Sequence, residues 1–121
     1  MKTIFLVDDS ATILLSMSAI LSKAGYATEK AASAEEGMTK LKGRLKPDLL
    51  ITDLNMPGMN GIEFIKEVRK LPNLKFMPIL FLTTESHQSK RDEAKAAGAS
   101  GWLIKPVYAE QLIGTIKLVV K

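Results

Sequence analysis

The stretch Asp48-Leu49-Leu50-Ile51-Thr52-Asp53-Leu54-Asn55-Met56-Pro57-Gly58-Met59-Asn60-Gly61 decides the fold. Its apolar run, Leu49-Leu50-Ile51, delivers Asp53 to a turn rich in Pro, Gly and Asn. A continuous apolar run that ends in turn residues reads as a short strand buried on both faces, the pattern of a parallel sheet. In open parallel sheets, ligands and chemistry collect beyond the carboxyl ends of the strands. Asp53 stands at such an end, so it is a candidate for chemistry as well as for the plainer task of beginning the turn.

Upstream, Ile4 to Val7 is a second apolar run and ends in the adjacent carboxylates Asp8 and Asp9. Ser10 can cap a helix in which Ile13, Met17, Ile20, Leu21 and Ala24 recur at helical spacing until Gly25 stops it. Leu14 and Leu15 fall outside that stripe and are expected to be exposed beside the acidic pair. Tyr26 to Ala31 reads as an edge strand. A second helix opens at Ser33 or Ala34 and runs to about Leu45, and Pro47 keeps it from continuing into the central strand. Downstream, Ile62, Phe64, Ile65, Val68 and Leu71 mark a third helix, and Ile79 to Leu82 a strand ending in Thr83-Thr84. The charged segment from Gln88 to Ala97 reads as a thinly packed helix whose apolar content is mainly alanine. Ser100 to Ile104 is a last strand, Lys105-Pro106 interrupts, and Ala109 to Val120 is a last helix.

Five strands alternating with five helices predict an α/β fold, a parallel sheet covered on both faces and joined by right-handed crossovers. Alternation alone leaves the strand order open. At 121 residues, 46% of them hydrophobic, one domain over 1–121 has core enough and no second, output domain fits. The absence of cysteine excludes disulfides and thiolate metal sites and suits a reducing cytosol. Ahead of Asp8 the apolar run is too short for a signal peptide or a membrane span, so the expectation is a soluble cytoplasmic protein with no membrane partner. Seventeen Lys and Arg against thirteen Asp and Glu give a net charge of +4. The basic residues are spread over several segments without interleaved aromatics, which reads as solvated helix faces rather than a nucleic-acid surface. His87 is the sole histidine, a loop residue, so no histidine-based catalytic pair is available. Met17, Met38 and Met77 read as core filler.

The strand ends carry Asp8-Asp9, Asp53, Thr83 and Lys105, and parallel strands place these on one edge of the sheet. Three carboxylates brought together repel one another unless a cation intervenes, and a hard divalent ion such as Mg²⁺ suits oxygen ligands and keeps waters that leave room for phosphate. Lys105 adds a fixed positive charge. The chemistry this suits is phosphoryl transfer onto Asp53, with Thr83 donating to the new phosphate.

The segments Val7-Asp8-Asp9-Ser10, Thr52 through Gly61, Leu82-Thr83-Thr84-Glu85, Gly98-Ala99 and Lys105-Pro106 resemble, in order and spacing, the receiver domains of two-component response regulators. The resemblance covers the whole chain and is closest to the single-domain, CheY-like chemotaxis regulators. It implies the flavodoxin-like (βα)5 fold with strand order 2-1-3-4-5, an order that comes with the family, CheY being a known example of it. It also implies that Asp53 is the phosphoacceptor and that Asp9 ligates Mg²⁺ (Mn²⁺ as an alternative) directly. Asp8 would hold a metal-bound water, the main-chain carbonyl of Asn55 would be a further ligand, and Asp53 would join them. Thr83 matches the switch hydroxyl, and Lys105 the phosphate-pairing lysine, whose bond to Pro106 is cis in the family. Asn55 and Glu85 fall where family members tune phosphoryl lifetime.

The implied function is a phosphorylation-activated switch in bacterial chemotaxis and flagellar motor control. A CheA-like sensor histidine kinase would donate phosphate, and a monomer would signal by binding a downstream protein such as a motor switch component, with a phosphatase as a further partner. The chain itself would be a phosphoacceptor with self-phosphorylation and self-dephosphorylation chemistry, not an enzyme. The alternatives are a phosphate sink or adaptor, or an excised receiver of a larger regulator. An aspartate-nucleophile phosphatase would need a second acid where Asn55 stands, and a flavodoxin-like cofactor carrier a glycine-rich loop where Asp8-Asp9 stand. Trp102 replaces the family's usual Tyr or Phe switch aromatic; indole is larger and only donates, and Thr84 is expected to narrow its path. Leu14 and Leu15 are expected to dock the phosphodonor's helices.

Overall fold

The computed structural model describes residues 1–120; Lys121, inside the single domain expected from the sequence, lies outside the described residues. The elements are β1 (Thr3–Val7), α1 (Ala11–Lys23), β2 (Ala27–Ala31), α2 (Ala34–Lys42), β3 (Leu49–Thr52), α3 (Gly61–Arg69), β4 (Ile79–Thr83), α4 (Gln88–Ala97), β5 (Gly101–Ile104) and α5 (Ala109–Val119). All strand pairs are parallel and the order is β2-β1-β3-β4-β5, with β2 on an edge. From β1 the chain steps outward to β2 and then returns to the other side of β1 as β3. The topological switch therefore lies between β1 and β3, where open sheets of this kind form their sites.

Period-two alternation in the strands divides the apolar residues into two layers. Phe5, Val7, Leu50, Ile79 and Phe81 face one way and meet Met38, Leu41, Phe64, Ile65, Val68 and Ala94 from α2, α3 and α4. Ile4, Leu6, Leu49, Ile51, Leu80 and Leu82 face the other way and meet Leu14, Met17, Leu21, Leu112 and Ile116 from α1 and α5. Met17, Met38 and Met77 are buried in these layers as expected, and Met56 is drawn in from the turn after Asp53.

The expectation for Leu14 is corrected. It is 8% exposed and belongs to the core, whereas Leu15 is 70% exposed. Three apolar residues in succession, Ile13-Leu14-Leu15, leave the helical stripe ambiguous by one position. The sheet takes Leu14, Met17 and Leu21, so Ile13 and Ile20 become half-buried flanks and Ala24 is exposed. The second helix also ends earlier than expected. Gly43 caps it after Lys42, which frees Leu45 to pack against the core from outside the helix.

Candidate functional site

Register brings the acidic residues together. Val7 of β1 pairs with Thr52 of β3, and the Asp53 N–H donates to the Val7 carbonyl at 3.0 Å, so Asp8 and Asp53 leave the sheet side by side. Both are buried, while Asp9 is exposed. One Asp53 oxygen accepts from the Leu54 N–H at 2.7 Å, and one Asp8 oxygen accepts from the Ser10 N–H at 2.9 Å. Ser10 also caps α1 through its hydroxyl, which accepts from the Ile13 N–H. The residue that caps α1 thus also holds Asp8 in place.

The remaining oxygens of Asp8 and Asp53 both face Lys105. Its Nζ donates to Asp8 Oδ2 at 2.9 Å and to Asp53 Oδ2 at 3.3 Å. Lys105 reaches them because β5 pairs with β4 and the Lys105 N–H donates to the Thr83 carbonyl at 2.8 Å. The Lys105–Pro106 bond is cis. Burial by itself would push the ammonium's pKa down. The hydrogen bond to Asp8 and the charges of Asp53 and Asp8 outweigh it, and the pKa is raised. Lys105 therefore stays a cation at neutral pH.

One oxygen from each of Asp8, Asp9 and Asp53 can lie within 4.8 Å of the others. These are hard anionic donors, the set Mg²⁺ prefers. Three carboxylates against one ammonium leave a local charge of −2, which a divalent ion balances. A carboxylate nucleophile next to a fixed cation and a divalent-cation cradle is suited to accepting a phosphoryl group.

Thr83 is buried at the end of β4, and its hydroxyl accepts from the Glu85 N–H at 3.3 Å. The Trp102 indole N–H donates to the Glu85 carbonyl at 3.0 Å. Thr83 and Trp102 are thus joined to the two sides of one residue in the β4–α4 connection. The Trp102 ring lies 5.4 Å from that of Phe81, and the Arg91 guanidinium stands over the indole as a cation–π partner, 5.8 Å from its centroid. Thr84 is exposed.

Two contributors, Glu35 and Arg91, carry no mark in the sequence, and a third, Gly61, is marked only as part of the turn after Asp53. Glu35, in the first turn of α2, accepts from the Met59 N–H at 2.9 Å and fastens the β3–α3 connection. That bond is the main reason its carboxyl lies below the usual range. Gly61 closes the same loop: its N–H donates to the Leu54 carbonyl, and a Cβ there would clash with the Asp53 carbonyl oxygen. Arg91 is one charged residue among many on α4, with no pattern to mark it. The Gly58-Met59-Asn60-Gly61 run is the one legible signal, since Gly58 takes φ +76°.

The response regulator receiver domain model matches residues 4–117. Protein PilH of Pseudomonas aeruginosa is 34% identical, covering 98% of this chain and 98% of its own. Chemotaxis protein CheY of Thermotoga maritima is 35% identical over 99% of this chain and 98% of its own. Among solved structures, chemotaxis protein CheY4 of Vibrio cholerae superposes with a TM-score of 0.94 at 44% identity, covering 98% of each chain. With that fold and an acidic cluster at its switch point, the chain belongs to the receiver-domain family of two-component response regulators. Within that family it is CheY-like. Receiver domains are signalling phosphoacceptors that bind Mg²⁺ at an acidic pocket and interact with histidine kinases and downstream targets. Among the described residues no helix is long and apolar enough to cross a membrane.

Proposed function

We propose that Asp53 is the phosphoacceptor of this chain, charged by a CheA-like sensor histidine kinase, and that the phosphorylated form signals by binding another protein. The observation that carries this reading is the Lys105 ammonium bridging Asp8 and Asp53. An Asp53 oxygen forms the new P–O bond as the donor's P–N bond breaks, and the electron pair leaves with the donor imidazole. Lys105 then turns from the carboxylates toward the phosphoryl oxygens. Asp9, Asp53, the Asn55 carbonyl and, through water, Asp8 would hold Mg²⁺, which supplies neutralising charge for those oxygens.

Thr83 is the switch hydroxyl in this proposal. Turning toward phosphate, it releases the Glu85 N–H, and the Glu85 carbonyl carries the change to Trp102. The output face is made by α4, β5 and α5, and the chain acts as a single-domain cytoplasmic monomer. Leu15, exposed beside Ala11 and Ala32 near the site mouth, contributes to docking the phosphodonor, a role that buried Leu14 cannot share. Similarity to chemotaxis proteins of Vibrio cholerae and Thermotoga maritima supports a place in chemotaxis and motor control. Binding of the phosphorylated form to a motor switch protein tests that place; failure there with phosphorylation intact favours a phosphate sink or adaptor.

The first test is Trp102 emission during addition of Mg²⁺ and then beryllofluoride, a phosphoryl mimic. A saturable response to Mg²⁺, and a further change lost in Asp53→Asn and diminished in Thr83→Ala, is expected. Mass spectrometry after phosphotransfer should place the phosphoryl group on Asp53. A phosphoryl group on another residue would overturn the assignment, and an undiminished second change in Thr83→Ala would overturn the coupling.

A further inference from the structure

Because all the strands are parallel, the helices between them run back toward the strands' amino ends, so helix carboxyl ends gather at the edge opposite Asp53. Basic residues in last turns, such as Lys23, Lys42 and Lys117, answer the negative ends of the helix dipoles there. That complementarity does not account for Arg44, Lys46 and Lys75, which lie in connections outside any helix. The α2–β3 and α3–β4 connections run side by side because β3 and β4 pair in parallel, with Leu50 opposite Ile79. Together they and the helix ends before them display Lys42, Arg44, Lys46, Lys70 and Lys75, all exposed; segments 41–46 and 70–76 contain no acidic residue, and Asp48, later in the first connection, is half-buried and accepts from the Thr3 N–H at 2.8 Å. These five charges exceed the +4 net charge of the chain, so the rest of the molecule is slightly acidic. The one carboxylate close by on α3, Glu67, is already held by Lys70 at 2.8 Å. Its pKa is lowered first by that hydrogen bond and then by the Lys70 charge, with a contribution from Lys42 across on α2, so lysines of both elements share one field.

Between the two connections lies a groove of about 200 Å³, with Leu41, Leu45, Leu71 and Leu74 among its walls and Lys42 and Lys46 on its rim. Two residues beyond Leu74, Phe76 projects with 96% of its surface exposed. A polyanion such as nucleic acid would satisfy the lysines and leave Phe76 and the outer edges of the half-buried Leu45 and Leu71 without a partner. An anionic lipid surface would take Phe76 and leave the groove unfilled. An acidic segment with an apolar side chain matches all three features. We infer that the far edge, between the α2–β3 and α3–β4 connections, is a docking surface for an acidic, leucine-bearing segment of a partner protein. Such a partner leaves both Asp53 and the α4–β5–α5 face open, so it can locate the regulator without regard to its phosphorylation.

The test is a titration of the ¹⁵N-labelled chain with a synthetic Asp-Glu-Leu-Asp-Asp-Leu-Glu peptide, following backbone amide shifts. Saturable shifts confined to 41–46 and 70–76, weakening with added salt, are expected. Affinity should fall about tenfold in the combined Lys42→Gln, Arg44→Gln, Lys46→Gln variant and for a peptide with serine in place of leucine. An unchanged melting temperature of the variant shows that its fold is kept. The inference is overturned if the peptide leaves these residues unshifted, or if the serine peptide binds equally well. It is also overturned if phosphatidylglycerol-containing vesicles shift this edge and the leucine peptide does not.

Discussion

Lys105 has its ammonium between two buried carboxylates, with a side chain only 17% exposed. Its pKa is raised above the ordinary lysine value, so the stability it contributes is complete below the unfolded value of about 10.4 and is lost as pH rises through the folded value. The contribution is therefore flat across neutral pH and declines only in the alkaline range. The same ammonium competes with any divalent ion for Asp8 and Asp53. Lys105→Met should accordingly bind Mg²⁺ about tenfold more tightly by calorimetry, and it should lose the alkaline decline that Lys105 causes in the wild type. Weaker Mg²⁺ binding in that variant would show that Lys105 positions the carboxylates more than it competes for them. Asp8, Asp9, Asp53 and Lys105 were legible because each follows an apolar run that ends abruptly. Glu35 and Arg91 were not, since a charged residue on a helix surface carries no sign of which neighbour it meets.

At the scale of elements, α4 is held unequally at its two ends. Ala94 is its one buried residue, and its N-cap, His87, makes no side-chain capping bond. At the other end Gly98 adopts φ +117°, and the Arg69 guanidinium binds the Gly98 carbonyl at 2.7 Å while also donating to the Leu74 and Met77 carbonyls. Burial lowers the pKa of Arg69, but an arginine remains charged, and those carbonyls take the place of a carboxylate partner. The helix is thus clamped at its carboxyl end, whereas the end that adjoins Glu85 lacks a side-chain cap and rests on Arg91 over the Trp102 ring. His87→Ser would supply the missing cap and lose only an exposed contact with Glu85. It should stabilise the chain by about 0.5–1 kcal/mol in urea unfolding and slow amide exchange in the first turns of α4. No gain in either measurement would mean that the β4–α4 connection already restrains this end.

For the molecule as a whole, the sheet divides the core into two layers that share every central strand, so damage to one layer is felt throughout. Leu112, the fully buried anchor of α5, should cost about 3 kcal/mol on truncation to alanine, read as a lower urea midpoint with an unchanged slope. Leu118, on the same helix but 75% exposed, should change stability by no more than about 0.5 kcal/mol. Equal costs at the two positions would contradict the way α5 is seated on the sheet.

The alternation of strands and helices, the burial of β1, β3 and β4 on both faces and the placing of acidic residues at strand ends follow from the sequence alone. These are local properties: apolar runs, caps and turn residues act over a few positions, and Ser10, Asn60 and Gly98 do locally what their types suggest. Strand order, without appeal to a known family, came from the folded chain, because it depends on pairing between distant segments and not on any single one. The folded chain also decided that Leu14 and not Ile13 faces the sheet, since three consecutive apolar residues offer the helix more than one face to bury. The joining of Thr83 and Trp102 through Glu85, and of the two basic connections into one edge, likewise arises from strand pairing between residues far apart in the chain.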